Sequence, residues 1–266
     1  MGIAVTRPAS GSTAGRALQE PLTLAIDIGG THLKCGLLNP VGQLIGGPNR
    51  VNTPDEASPK VVVSALLDLA APLAPFQRIS IGFPGVVRHG HVQTAPNLGT
   101  KMWRDYPLAP ELAKRLGKPA RMLNDAEVQG LGVIAGNGVE CVITLGTGMG
   151  FALFDDGRPA PHMELAHHPL HKSSTYEDLV GVAALRAAGK KRWNKRVQQA
   201  IDAITNLLNY DVLYIGGGNA KHLTLTLPPN IKTVNNQAGI TGGVRLWDAK
   251  LDPLFPSASE RLDPAG

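Results

Sequence analysis

The chain has 266 residues, enough for one large domain or two smaller ones, and its 43% hydrophobic content excludes a largely disordered protein. Basic residues outnumber acidic ones by 26 to 21, and the resulting net charge of +5 favours anionic partners without identifying them. Two cysteines and the lack of a long apolar run exclude a disulfide scaffold and a membrane span, so we expect a cytoplasmic protein with no membrane partner.

The predicted elements alternate between apolar strands and helical segments, which is typical of an α/β fold. A helix is predicted after Ala57, because Ser58 is a good capping residue and Pro59 suits the first helical position. Residues 1–20 and 251–266 lack apolar periodicity and are predicted to be flexible tails. The predicted strands cover residues 22–28, 78–83, 121–123, 141–145 and 211–215.

Two segments of the chain resemble each other. Residues 24–38 read LAIDIGGTHLKCGLL and residues 141–154 read CVITLGTGMGFALF, and both have a strand, a glycine turn and a second apolar strand when Gly29 is set against Gly146. One copy in each half predicts two related α/β domains, residues 21–118 and 119–250, around a central cleft. The alternative is that any two α/β hairpins look alike.

Three glycine turns follow predicted strands and are candidate phosphate sites, because glycine leaves backbone N–H groups free to cradle phosphate oxygens. Asp27 ends the first strand, where its charge requires a metal or a strong donor. An ordinary hairpin remains the alternative for the first turn, and a simple strand-to-helix turn for the third. Lys34 either reaches a phosphate or points to solvent. The turns contain Gly29, Gly30 and Thr31; Gly146, Thr147 and Gly148; and Gly216, Gly217 and Gly218.

A second group of polar residues supplies the mixture of donors and acceptors that a polyhydroxylated ligand needs. It comprises Asn97, Asn124, Asp125, Glu164 and His167. Taken singly, Asn124 and Asp125 also suit a helix cap, which is the alternative role for these two. His168 and His171 lie close by in sequence, but no cysteine or further acid stands at zinc-ligand spacing, so no zinc is expected.

These motifs, in this order, resemble the ROK family of sugar kinases within the actin-like ATPase superfamily, which has a ribonuclease H-like fold. The resemblance covers about residues 22–250, and HGHVQTAPNL at 89–98 is most similar to the polyphosphate and ATP glucokinase branch, which includes glucomannokinases. The motifs are IDIGGT at 26–31, GFPG at 82–85, PNL at 96–98, LNDA at 123–126, TLGTGMG at 144–150, ELAH at 164–167 and IGGG at 215–218.

The resemblance implies a role for each matching position. Asp125 is expected to take the proton from the sugar 6-hydroxyl, and Asp27 to organise Mg²⁺ directly or through water. The first two glycine turns, with Lys34, are expected to hold the donor phosphates, and the third to lie beside an adenosine when the donor is ATP. The sugar is expected to contact Asn97, Asn124, Glu164, His167 and Gly85.

The sequence departs from the family pattern at two places. Many members carry a cysteine-rich zinc motif soon after the histidine, whereas residues 168–178 read HPLHKSSTYED, which again predicts no zinc. Ala166 stands where the family has glycine, so the sugar-binding turn is expected to shift and to alter sugar preference.

The expected function is therefore a glucokinase-type phosphotransferase that uses polyphosphate, ATP or both and accepts glucose, with mannose as a second sugar. It is expected to work as a homodimer. The alternatives are an ATP-dependent kinase of another hexose, a polyphosphate or nucleotide phosphohydrolase, and a sugar sensor related to ROK repressors. Residues 1–20 are too short for the helix-turn-helix of such repressors, so no nucleic-acid partner is expected.

A basic segment, residues 186–196, carries six cations and no acid. A helix predicted from Trp193 would place several of these cations on one face. We expect this face to recruit a polyanionic donor, and a solvated surface helix is the alternative. The six cations are Arg186, Lys190, Lys191, Arg192, Lys195 and Arg196.

Overall fold

The structure, a computed structural model, describes residues 21–234 and 238–256. Its first half contains strands β1 Thr23–Ile28, β2 His32–Leu38, β3 Leu44–Asn52, β4 Arg78–Phe83, β5 Val87–Arg88, β6 His91–Val92 and β7 Ala120–Asn124. The helices of this half are α1 Pro59–Ala70, α2 Thr100–Trp103 and α3 Leu108–Leu116, with a 3-10 helix at Ala71–Leu73.

The second half contains strands β8 Val139–Leu145, β9 Met149–Asp155, β10 Arg158–Pro159, β11 Pro169–His171, β12 Ser174–Thr175, β13 Val212–Gly216 and β14 Ile231–Thr233. Its helices are α4 Asp125–Leu131, α5 Tyr176–Val180, α6 Val182–Leu208 and α7 Ala238–Thr241. Short 3-10 helices lie at Leu165–His167, Ala220–His222, Gly242–Trp247 and Ala249–Leu254.

The two halves each contain a five-stranded sheet with the same strand order and directions. The first sheet has the order β3-β2-β1-β4-β7 and the second β10-β9-β8-β13-β14. In each sheet the first three strands in sequence pair antiparallel, and the remaining two join in parallel. The internal repeat inferred from the sequence is therefore confirmed, and so is the α/β class.

The boundary predicted between residues 118 and 119 needs correction. β7 lies after that boundary, yet it pairs in parallel with β4 and completes the first sheet. The first sheet therefore extends to Asn124. The sequence pattern did not reveal this assignment, because a short apolar strand carries no local signal for the sheet that it joins.

Helix α4 lies between the two sheets and contacts strands of both, including β4, β7, β8 and β9. A core cluster forms around it from residues of both halves, among them Leu123, Leu131 and Phe154. Because both sheets pack on this one helix, its N-terminus opens at the junction of the two halves. That position brings residues that follow β7 to the central cleft.

The C-terminal segment also departs from the prediction. Residues 251–254 were expected to begin a flexible tail, but they belong to the 3-10 helix Ala249–Leu254, in which Leu251 is fully buried. Arg121, on β7, donates hydrogen bonds to the Leu246 carbonyl and to Asp252, and its guanidinium lies 4.5 Å from the centre of the Trp247 ring. These contacts hold the C-terminal segment against the first sheet. The predicted tail residues 1–20 and 257–266 lie outside the described residues.

Two helices refine the sequence predictions. Ser58 is the N-cap residue of α1 as expected, but its side chain makes no capping hydrogen bond. Helix α6 begins at Val182 instead of Trp193 and is interrupted at Gly189, where φ is +72°. No helix of the described part of the chain is long and apolar enough to cross a bilayer.

Candidate active site

A cleft of about 1170 Å³ gathers most of the predicted site residues. Its walls contain the turn between β1 and β2 from the first half, the turn between β8 and β9 from the second, and the N-terminus of α4. The predicted residues at its surface are Asp27, Gly29, Gly30, Thr31, Lys34, Gly85, Asn97, Asn124, Asp125, Gly146, Thr147, Gly148, Glu164, His167, Gly217 and Gly218.

Gly216 does not line this cleft. It is buried at the end of β13, and a side chain there would meet the Gln129 amide, 2.9 Å from the position of a Cβ. Its role beside a ligand stays a prediction, and the structure shows that this glycine is needed for packing against α4. Gly217 has φ +87° and lies against the Leu145 backbone, so this turn also requires glycine.

Asp27 and Lys34 face each other across the β1–β2 hairpin. Their register is a direct cross-strand pair, and Lys34 Nζ lies 2.7 Å from Asp27 Oδ2. Lys34 thus lies in the cleft instead of pointing away into solvent. The ammonium is the strong donor that a carboxylate at the end of a buried strand requires.

The expected Mg²⁺ can be tested against these residues. The described residues contain no group of three His, Cys, Asp or Glu side chains placed to hold a metal ion. Mg²⁺ is commonly bound by one or two carboxylates that share it with substrate phosphates and water, and Asp27, in a cleft lined by two glycine turns, matches that donor set. Asp27 therefore fits a magnesium shared with the donor, either directly or through water.

Each of the first two glycine turns is closed by a backbone hydrogen bond from its first glycine. Gly29 N donates to the His32 carbonyl at 2.9 Å, and Gly146 N donates to the Gly148 carbonyl at 3.0 Å. Gly30 packs closely against Asn97: a Cβ added at Gly30 would lie 3.1 Å from the Asn97 Cβ. The first phosphate turn therefore touches a predicted sugar residue, as in-line transfer between donor and sugar requires.

Asp125 is the first residue of α4 and is half-buried in the cleft wall. Burial and the nearby charge of Asp27 raise its pKa to about 7, although the Ala126 N–H donates to the carboxylate and His162 attracts it. A carboxylate with a pKa near neutrality is suited to accept a proton from a substrate hydroxyl at physiological pH.

Asn124 performs the capping role that was its alternative function. Its Oδ1 accepts from Ala126 N at 2.9 Å, and its Nδ2 donates to the carbonyls of Gly85 and Phe83. Its side chain is thus engaged in holding α4 against the turn after β4. Gly85 itself has no space for a side chain, because a Cβ would meet the Thr94 carbonyl oxygen.

Glu164 and His167 lie beside a histidine that the sequence analysis missed. His162 Nδ1 lies 3.0 Å from Glu127 Oε1, and His162 Nε2 lies 3.4 Å from Glu164 Oε1. Glu164 Oε2 is 3.6 Å from His167 Nε2, and His167 Nδ1 is 3.6 Å from Glu177 Oε2. Acids and imidazoles therefore alternate from the start of α4 to α5.

The charges in this row shift one another's pKa values. Burial alone would lower the pKa of His162, but its contacts with Glu127 and Glu164 raise it to about 9, so the ring is cationic at neutral pH. The same contact with His162 lowers the pKa of Glu164, which burial opposes and His167 and the Thr94 hydroxyl reinforce. Glu164 is therefore an ionised acceptor.

One member of this row, Glu127, could have been identified from the sequence. Glu127 stands three residues after the cap Asn124, and its carboxylate accepts from Asn124 N at 3.1 Å, which completes a capping box. That spacing could have identified Glu127. No local pattern identifies His162 or Glu177, because tertiary folding brings His162 close to Glu127, and Glu177 close to His167.

Comparison with known proteins agrees with these features. The sequence profile of the ROK family matches residues 23–170. A polyphosphate glucokinase of Mycobacterium tuberculosis, strain CDC 1551 / Oshkosh, is 29% identical over 253 residues, which cover 89% of this chain and 95% of that protein. An N-acetylmannosamine kinase of Escherichia coli strain SE11 is 34% identical, but over only 51% of this chain and 48% of its own.

Solved structures share the fold. The inorganic polyphosphate/ATP-glucomannokinase from Arthrobacter sp. strain KM is 30% identical with a TM-score of 0.76, and the match covers 85% of this chain and 97% of that one. A ROK family glucokinase from Streptomyces griseus, in complex with glucose and AMPPNP, is 18% identical with a TM-score of 0.69. That match covers 85% of this chain and 98% of the glucokinase chain. The expected actin-like fold is confirmed. The chain belongs to the ROK family, and its similarities support a sugar kinase of the glucokinase type.

Proposed function

We propose that the protein transfers a phosphoryl group from polyphosphate or ATP to the 6-hydroxyl of glucose, with mannose as a second acceptor. The observation that carries this proposal is the position of Asp125. It lies in one cleft with two phosphate-type glycine turns and with Asn97, Glu164 and His167, and its pKa is near 7. The names of the polyphosphate glucokinases and the glucomannokinase similar to this chain support the choice of sugar and donor.

In this mechanism Asp125, ionised above its pKa, accepts the proton of the attacking hydroxyl. Glu164 accepts hydrogen bonds from sugar hydroxyls, while Asn97, adjacent to Gly30, orients the sugar toward the donor. The backbone N–H groups of the glycine turns and the Lys34 ammonium offset the charge of the phosphates. Asp27 would hold Mg²⁺, which would supply neutralisation of the phosphate charge.

The basic segment supports polyphosphate as a donor. None of its six cations forms an ion pair with a described residue, and all except the half-buried Arg196 are exposed. Such a field attracts a long polyanion more strongly than a compact nucleotide. A solvated surface helix explains the exposure equally well, so the support for recruitment comes from the position of the segment.

That position is adjacent to the donor side of the cleft. Asn194, on α6, is buried and joins the Lys190 carbonyl to the His222 carbonyl and the Thr224 N–H. Asn219, which begins the same loop, donates to the Gly146 carbonyl at 2.7 Å. Helix α6, which carries the cations, is thus linked through Asn194 to the loop that follows the third glycine turn, and that loop contacts the second glycine turn through Asn219.

A panel of sugars and donors tests the proposal. Purified protein is incubated with glucose, mannose, fructose or an N-acetylated hexose, each with ATP or polyphosphate, and the sugar phosphate is quantified. We expect glucose 6-phosphate with both donors and a smaller yield from mannose. Phosphate release that is independent of sugar would refute the proposal in favour of a phosphohydrolase. Preference for another hexose would refute the sugar assignment.

A further inference from the structure

The sugar pocket contains two buried polar atoms without hydrogen-bond partners among the described residues. They are Nε2 of His162 and Oε1 of Glu164. They lie 3.4 Å apart, outside hydrogen-bond geometry with each other, and both residues line the cleft that holds Asp125. Leaving two such groups unsatisfied is costly, so the site is built for something that bonds to both.

The other side of the imidazole shows what Nε2 offers. His162 Nδ1 lies 3.0 Å from Glu127 Oε1, and Glu127 is itself fixed, because its Oε2 accepts from Asn124 N. A carboxylate partner keeps the proton on Nδ1 and holds the plane of the ring. The His162 side chain is only 11% exposed, and Nε2, which lies 3.4 Å from Glu164 Oε1, is its one ring nitrogen without a hydrogen-bond partner among the described residues.

We propose that His162 is a sugar-binding residue that shares one sugar hydroxyl with Glu164. A hydroxyl group donates one hydrogen bond and accepts another, which complements an ionised carboxylate oxygen beside a cationic imidazole N–H. The hydroxyl donates to Glu164 Oε1 and accepts from His162 Nε2. Glu127 acts as a positioning residue, since it orients the ring without touching the sugar. This inference rests on the proposed function and specifies how that site recognises its sugar.

The inference also accounts for a residue that the family resemblance left without a role. His162 lies two residues before the ELAH motif, and none of the motifs at 26–31, 82–85, 96–98, 123–126, 144–150 or 164–167 contains it. Its alternative role is a purely structural tie between α4 and the segment that carries Glu164. The two roles depend on different ring nitrogens, which makes them separable by substitution.

Substitution of His162 by each of two amide side chains distinguishes sugar binding from the structural role. His162→Asn places an amide nitrogen near the position of Nδ1, so it keeps the bond to Glu127 and removes the donor at Nε2. His162→Gln reaches the position of Nε2 and gives up the bond to Glu127. Sugar binding through Nε2 therefore predicts that Asn raises the glucose KM about tenfold and that Gln stays within about threefold of the parent. A structural tie predicts the reverse order.

Deoxy sugars identify the bonded hydroxyl. Each of the parent, His162→Asn and His162→Gln is assayed with glucose and with analogues that lack the 1-, 2-, 3- or 4-hydroxyl. We expect one analogue to bind the parent about tenfold more weakly than glucose and to lose that penalty only in His162→Asn, which is the non-additivity of a direct contact. Penalties that stay unchanged in His162→Asn for all four analogues would overturn the inference.

Isothermal titration of glucose in the absence of donor makes the result independent of phosphoryl transfer. A parent that neither binds nor phosphorylates glucose refutes the proposed function. A parent that binds glucose with the same affinity as His162→Asn refutes this inference alone. His171→Asn, an exposed histidine on β11, is the matched control and is expected to leave glucose affinity unchanged. Thermal melting of every variant identifies any loss of fold.

Discussion

The removal of the Asp125 carboxylate is the most direct test of the proposed chemistry. In Asp125→Asn the amide oxygen keeps the bond that the carboxylate accepts from Ala126 N, so the start of α4 is preserved. The variant has no base for the sugar hydroxyl, and general-base catalysis typically contributes about 10²–10⁴ in rate. We expect kcat to fall by that factor, while the KM for glucose changes by no more than a few fold.

The same substitution should stabilise the fold, and its pH dependence has a definite sign. The pKa of Asp125 rises from 3.8 to about 7 on folding, so ionised Asp125 opposes folding above pH 7, and this penalty disappears as the pH falls toward 4. At 1.36 kcal/mol per pKa unit, Asp125→Asn gains up to about 4 kcal/mol at pH 8 and nothing near pH 3.5. Burial of the carboxylate and the nearby charge of Asp27 cause this rise in the pKa of Asp125.

Two measurements check these expectations. In the parent, kcat/KM should fall tenfold for each pH unit below about pH 7, because the base works only when it is deprotonated. Urea unfolding of parent and variant at pH 5 and pH 8 should show a gain that grows with pH. Asp68→Asn, an exposed site on α1, is the control for a charge change alone. Turnover within twofold of the parent would remove Asp125 from the mechanism.

Three further predictions follow from the cleft and its surroundings. Glu164→Ala should raise the glucose KM by about 10-fold to 100-fold with the donor KM unchanged, and a fall in melting temperature with normal kinetics would instead indicate a structural ion pair. Gly85→Ala should destabilise the protein by about 1–3 kcal/mol in urea unfolding and weaken glucose binding, because the new Cβ meets the Thr94 carbonyl. A fourfold glutamine variant should raise the KM for polyphosphate, flatten its salt dependence and spare ATP, and equal effects on both donors would contradict recruitment. Its positions are Lys191, Arg192, Lys195 and Arg196.

Elements with a strong local pattern were predictable from the sequence. Strand β4 has the predicted bounds, because RISIGF is a buried apolar run. The repeated hairpins were predictable because both copies retain apolar strands on either side of a glycine turn. Asn124 was predictable as a cap, because the residue that begins a helix after a strand needs a side-chain acceptor.

Features determined by long-range packing were not predictable. Leu251 is the buried anchor of a segment rich in polar and proline residues, and one apolar residue gives no periodicity to detect. The ion pair between Asp27 and Lys34 depends on hairpin register, so the sequence left two directions open for the lysine. His162 contacts Glu164, two residues away, and Glu127, 35 residues away, and no spacing in the sequence encodes the approach of Glu127.

The duplicated architecture explains why donor and sugar sites differ in how well the sequence defines them. The donor turns lie at equivalent positions of two equivalent sheets, so each copy supports the interpretation of the other. The proposed sugar residues come from segments in which the halves differ: Asn97 follows β6, and Glu164 precedes β11. In the part of the chain that the structure describes, the strands β5 and β6 have no equivalent in the second sheet's half, and β11 and β12 have none in the first, so the proposed sugar contacts come from segments without an internal copy. Sugar preference should therefore respond to changes in these segments and leave the phosphate turns intact.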